Sequence, residues 1–191
     1  MMARKKRIWL KDKFYHIVCR GNRRDPLFRE RHDFIEILAM LEKIYEKIPY
    51  QLVAYCLMTN HFHLLLRSEQ ESISKVMALL NKRYANYYNT KYRLTGHVFE
   101  KRFYSDMVED RAGILEVSRY IFLNPVNAKI VKSPEHYPWS SFRFYTTPHI
   151  IPPAYIDAKF LLQFFSGRRE LIRWCCHHPE FVDFCRRSDV R

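Results

Sequence analysis

Two apolar runs, YQLVAYCLM (50–58) and HFHLLLR (61–67), stand only a Thr-Asn dipeptide apart. No other feature of the chain restricts its fold as strongly. Runs of this length and composition read as strands, and a two-residue break between them leaves room for little but a hairpin. The rest of the chain has to complete a sheet around that pair. KFYHIVCR (13–20), rich in β-branched and aromatic residues, reads as a further strand, followed by a turn at GNRRDP (21–26). Between Glu30 and Lys47, apolar residues recur at Phe34, Ile37, Leu38, Leu41, Ile44 and Tyr45, the spacing of a helix with one buried face.

A long helix is predicted from about Ser72, and a strand region with a basic centre in TGHVFEKRFYSDMV (95–108). Asp110 is placed to cap a helix over RAGILEVSRYIFLN, which Pro125 helps to end. The order β-α-β-β-α-β is that of the split βαβ unit, so the fold class expected is α+β and ferredoxin-like, an antiparallel sheet with helices on one face. After PWSSFRFY (138–145) comes a proline-rich joint, TTPHIIPPAY. The remainder reads as helical, which divides the chain into a domain over residues 1–150 and a helical C-terminal appendage over 151–191.

On a strand, side chains alternate between faces, so His61 and His63 share one face and Phe62 takes the other. Two imidazoles at roughly 6–7 Å Cα separation can converge on one ion. They can equally form a solvated strand rim, and the triplet alone does not separate the two. A catalytic divalent site also needs at least a third ligand. SRYIFLNPVNA (118–128) offers one. Tyr120 and Asn124 are four residues apart and share a helix face. Asn124 brings a neutral oxygen suited to a hard divalent ion, and Tyr120 a hydroxyl that is a weak nucleophile unless its target is activated. The plainer readings are a helix stop at Asn-Pro and a tyrosine packed at the core edge.

Lysines and arginines number 33 against 20 acidic residues, a formal net charge of +13. Such an excess points to a polyanionic partner, nucleic acid before a membrane surface. Basic residues lie interleaved with aromatics at RGNRRD, EKRFYS and NKRYANYYNTKY. Arg20, Asn22, Arg23, Arg24, Arg83, Lys101 and Arg102 are the candidate DNA contacts, with Phe103 and Tyr104 as stacking partners. Tyr84, Tyr87 and Tyr88 are read either as stacking groups or as packing on the sheet, and Arg4–Arg7 as a basic arm. No run of 18 apolar residues occurs, and MMARKKRIWLKDKF lacks the apolar stretch of a secretory signal. Five scattered cysteines without a C-x-x-C argue against a disulfide framework, and Cys19 and Cys56 read as buried thiols. The expected location is the cytoplasm, at the nucleoid. RWCCHHPEF has adjacent ligand types but no spaced partner pair, so it does not read as a zinc site.

YHIVCRGNRRDPLF, YCLMTNHFHLLL, TGHVFEKRFYS, SRYIFLNPVNA and YPWSSF follow one another in this order. Together they resemble the REP-associated tyrosine transposases, a group within the single-tyrosine HUH (IS200-like) transposases, over about residues 13–145. The hairpin reads MTNH where the family pattern is MPNH, a departure that falls on the turn. The resemblance implies that His61, His63 and Asn124 hold Mg²⁺ or Mn²⁺ and that Tyr120 is the nucleophile. It implies cleavage and strand transfer of single-stranded or hairpin DNA through a 5′-phosphotyrosine link, by a monomer or a homodimer. The alternatives are a hairpin-binding protein that does not cut and a metal-dependent phosphodiesterase that uses water. No P-loop is present.

Overall fold

The computed structural model describes residues 9–177. The basic arm Arg4–Arg7 and the chain from residue 178 on, including the end of RWCCHHPEF and Cys185, lie outside the described residues. The elements are β1 (Phe14–Arg20), α1 (Arg31–Tyr45), β2 (Gln51–Met58), β3 (His61–Arg67), α2 (Ile73–Tyr92), β4 (Tyr104–Val108) and α3 (Arg111–Asn127). Three short helices follow, α4 (Phe142–Thr146), α5 (Ala158–Leu162) and α6 (Arg168–His177). The sheet order is β2-β3-β1-β4, antiparallel throughout, which is the split βαβ arrangement the sequence order implied.

Two boundaries differ from the sequence-based expectation. Only Tyr104–Val108 of the 95–108 region forms a strand. Its first part turns instead, with Gly96 at φ +93° and its carbonyl accepting from Asn89 Nδ2, and pairs just past the end of β1 through an isolated Gly21–Phe99 bridge. Pro125 does not stop α3 at Asn124; the helix runs on to Asn127, and the Pro125 carbonyl accepts from Ile130 N at 2.9 Å.

The two helices of the βαβ units lie together against the Phe62 face, as expected. α2 brings Tyr84 to Phe28 and Phe99, and Phe28 stacks on Phe34 of α1. α3 departs from the one-face expectation. It packs on β2 and β3 from the opposite side, the side of His63. The physical reason is that this face is apolar as well. Ile114, Val117 and Ile121 form a buried stripe on α3, and α3's Phe122 meets Phe142 and Tyr145 of α4. Asp110 caps α3 by accepting from Gly113 N at 2.8 Å, and Ser72 caps α2 through Lys75 N.

The α2 tyrosines are structural. Tyr84 donates to the Leu27 carbonyl and Tyr88 to that of Pro26, while Tyr87 and Tyr92 donate to the carboxylate of Asp33. Cys19 and Cys56 are buried, as read from the sequence.

The Trp-Ser-Ser segment closes the outer edge of β2. Leu57 N donates to the Trp139 carbonyl, and Ser141 N to that of Tyr55. Ser141 Oγ accepts from Tyr55 N at 2.9 Å. Further along the same edge, Leu52 N donates to the Tyr155 carbonyl and Asp157 N to that of Leu52. Tyr155, Ile156, Ala158, Leu161, Leu171 and Cys175 join the common core. Ser141→Ala leaves the Tyr55 amide without its side-chain acceptor in a buried site. It is expected to cost about 1–2 kcal/mol, measured by urea unfolding with an unchanged slope. Among the described residues, no helix is long and apolar enough to cross a membrane.

Candidate active site

β3 presents His61 and His63 on one face, with ring centroids 5.0 Å apart. Phe62 points the other way and is fully buried. α3 lays Tyr120 over the histidine face, its ring edge-on to His63 at 5.3 Å. A third histidine completes the group. Register sets Val18 opposite His63, so His16, two residues along β1, shares its face and meets it diagonally. The His16 and His63 rings stack, with His16 Nε2 and His63 Nδ1 3.1 Å apart, and Tyr120 lies edge-on to His16 at 5.7 Å.

Burial holds His16 down to about 4. It pushes His63 well below the ordinary histidine value, and the neighbouring His16, His61 and Arg20 add to that. Both rings are therefore neutral at neutral pH, and each carries a single N–H. His63 Nε2 is buried with no hydrogen-bond partner among the described residues. Such a nitrogen is costly to bury unless something outside the protein pairs with it. In the tautomer in which His63 Nδ1–H donates to His16 Nε2, the lone pair falls on His63 Nε2, which suits a metal ligand whose second nitrogen is held by a partner.

Asn124 follows one turn after Tyr120, buried, its Nδ2 without a hydrogen-bond partner among the described residues. Among the described residues, no three or more His, Cys, Asp or Glu side chains group into a metal site.

The basic residues fall into two sets. Arg20 pairs with His61 across the sheet, and the turn from Asn22 to Arg24 follows it directly. Glu100 N donates to the Arg20 carbonyl, which brings Lys101 and Arg102 to the same end of the sheet. Arg23, Arg24, Lys101 and Arg102 are exposed there. Arg23 and Arg24 both hold left-handed backbone, φ 55° and 63°, a conformation disfavoured without glycine. Gly21 is required by close approach, since a Cβ there would sit 2.2 Å from the Asp25 carbonyl oxygen. A cavity of about 380 Å³ opens beside the turn, lined by Asn22, Arg23, Arg29, Tyr88, Leu94 and His97. Arg83 stands apart, half-buried on α2 on the Phe62 side of the sheet. Phe103 is buried in the core and is not available to stack on a base, whereas Tyr104 is exposed.

Of the residues the sequence nominated, Tyr120, His61 and His63 are brought together, and Asn124 lies on the same helix as Tyr120. Tyr84 and Tyr88, the other tyrosines weighed as nucleophiles, spend their hydroxyls on backbone carbonyls next to α2. Sequence reasoning missed His16 and Asn60. His16 was detectable only through the parity of β1 against β3.

The fold and this face together define an α+β protein of split βαβ topology with a buried histidine–tyrosine cluster next to a basic rim. The chain belongs to the IS200-like transposases, whose family model, described as "Transposase IS200 like", matches residues 10–124. It is 26% identical over 133 residues to a Haemophilus influenzae protein that carries the provisional name REP-associated tyrosine transposase, covering 63% of this chain and 75% of that one. It is also similar to a solved REP-associated tyrosine transposase bound to a REP hairpin, with a TM-score of 0.66 at 17% identity over 82% of this chain and 93% of that chain.

Proposed function

We propose that the protein cleaves and rejoins single-stranded DNA at hairpin sequences, with Tyr120 as the nucleophile. The observation that carries this reading is the position of Tyr120, edge-on to both His63 and His16 on the buried face. The Tyr120 hydroxyl oxygen attacks a backbone phosphorus, forming a 5′-phosphotyrosine bond as the P–O3′ bond breaks and a 3′-hydroxyl leaves. Attack by that hydroxyl in reverse rejoins the strand, so bond energy is kept and no nucleotide cofactor is needed. His61, His63 and Asn124 are the residues that would hold Mg²⁺ or Mn²⁺. When bound, such an ion supplies charge stabilisation on the phosphate oxygens. His16 holds His63 from its Nδ1 side.

Arg20, Asn22, Arg23, Arg24, Lys101 and Arg102 surround the His61 end of the sheet and serve as the DNA-binding rim. The cavity beside the arginine turn gives an unpaired base a place next to Asn22 and Arg23. The family likeness to a protein bound to a REP hairpin supports a hairpin as the substrate. Arg83 is the weakest member of the set, because α2 carries it away from this rim.

Labelled stem-loop DNA incubated with the protein and Mn²⁺, then run on a denaturing gel, tests the reading. A shifted covalent band supports strand transfer. Retardation on a native gel alone supports a hairpin-binding protein, and cleavage without an adduct supports a phosphodiesterase using water. Hairpin affinity is expected to fall steeply with salt. The double variant Arg23→Ala/Arg24→Ala is expected to lower the salt slope by about 1–2. Fluorescence anisotropy titrations at several salt concentrations measure it.

A further inference from the structure

The two residues between β2 and β3 do more than turn the chain. Asn60 Nδ2 donates to the Arg24 carbonyl at 3.2 Å, and Asn60 Oδ1 lies 2.8 Å from His61 Nδ1. A backbone carbonyl only accepts, so the amide has a single consistent orientation, with its NH₂ toward Arg24 and its oxygen toward His61. An amide oxygen also only accepts, so His61 Nδ1 must carry the proton. The neutral ring then has its lone pair on Nε2. His16 likewise holds His63 from the Nδ1 side, but only the amide oxygen, which cannot donate, fixes which nitrogen carries the proton. His16 comes from the sheet, whereas Asn60 is fastened to the arginine turn.

That turn is tied to the hairpin by backbone bonds too. Gly21 N donates to the Asn60 carbonyl at 2.8 Å, and Leu27 N and Phe28 N both donate to the Thr59 carbonyl. The Arg24 carbonyl held by Asn60 belongs to one of two consecutive left-handed residues. Any shift of this turn on engaging a phosphate moves the acceptor of Asn60, and through it the bond that orients His61.

We infer that Asn60 is a positioning residue that sets the His61 tautomer and couples hairpin binding at the Arg23–Arg24 turn to metal affinity at His61. This rests on the proposed metal-binding role of His61 and His63. Coupling of this kind is reciprocal, so DNA on the turn tightens the ion and the ion tightens DNA. Asn60 does not have a positive φ, and its carbonyl bond to Gly21 is backbone, so alanine fits there without strain.

The test uses the full chain, wild type and Asn60→Ala, with Asn60→Asp as the variant that keeps an acceptor for His61 Nδ1 but loses the donor to the Arg24 carbonyl. Long-range ¹⁵N–¹H spectra of the imidazoles report the tautomer without any metal, with His61 assigned by its loss in His61→Gln. Wild type and Asn60→Asp are expected to show the Nδ1–H form, and Asn60→Ala to gain the Nε2–H form. Mn²⁺ titrations are then run with and without a short stem-loop DNA at a salt concentration where wild type binds it. Asn60→Ala is expected to weaken Mn²⁺ roughly tenfold or more. The stem-loop is expected to tighten Mn²⁺ about fivefold or more for wild type and hardly at all for Asn60→Ala. An unchanged His61 tautomer in Asn60→Ala, or a coupling factor equal in the two proteins, overturns the inference. Wild type that binds no Mn²⁺ overturns the metal reading itself together with the coupling, and the tautomer spectra still decide whether Asn60 sets the ring.

Discussion

Tyr120→Phe is expected to abolish the covalent protein–DNA adduct while leaving hairpin binding within about fivefold of wild type. The variant removes one oxygen and keeps the ring that packs edge-on against His16 and His63. The fold and the basic rim are therefore retained, and the loss is confined to the atom that would form the bond to phosphorus. Loss of a covalent nucleophile is commonly worth on the order of 10³-fold or more in rate, so no band should survive on a denaturing gel. Tyr84→Phe is the matched control. It removes a hydroxyl that donates to the Leu27 carbonyl on the opposite side of the sheet. It is expected to lower stability by about 1 kcal/mol and to leave the adduct intact. A full-strength adduct from Tyr120→Phe would move the nucleophile elsewhere.

Asp33→Ala is expected to cost about 3–5 kcal/mol and lower the melting temperature by roughly 6–20 °C. Asp33 is fully buried at the start of α1. Its carboxylate accepts from Arg29 N, Glu30 N, Tyr87 OH, Lys91 Nζ and Tyr92 OH, which binds α1 to α2 through a single charge. Alanine strands those donors in a buried site and leaves Lys91 with Glu30 as its remaining carboxylate partner. Burial alone would raise the Asp33 carboxyl, but the bonds from Lys91, Tyr92, Tyr87 and the Arg29 backbone outweigh it and hold it down to about 2. Because this value lies below that of an unfolded aspartate, about 4, the unfolded chain takes up the proton first as pH falls. The stabilisation is complete above pH ~4 and disappears progressively down to about 2. Thermal melts of wild type and Asp33→Asn across that window check it, and the variant should lack this part of the acid sensitivity.

Local patterning carried the sheet and its helices. The Thr-Asn break set the hairpin, helical spacing set α1, and Asp110 announced the start of α3. The alternation of β3 gave His61 and His63 a common face without further information. What could not be read locally was how separate segments meet. His16 sits in YHIVCR, an unexceptional strand, and reaches His63 only through the β1–β3 register. Asn60 looks like any turn asparagine until the Arg24 carbonyl is seen beside it. The placement of α3 opposite α1 and α2 also depends on packing, because an apolar stripe on a helix does not say which side of a sheet it covers. The α2 tyrosines were ambiguous for the same reason, since their acceptors come from residues 26–33.

The closing of the β2 edge has a consequence for how the chain is made. Tyr55 and the Ser141 that pairs with it are separated by 86 positions. At about 5–20 residues per second, the ribosome leaves that strand edge unpaired for several seconds after β2 has emerged. An unpaired edge recruits other chains, so the nascent protein passes through a stage at which crowding with its own copies is hazardous. The same holds permanently for any fragment cut at the end of the family match. Residues 10–124 contain every residue nominated for the chemistry but not the segments that cap β2, so a fragment that keeps this edge closed extends through Asp157.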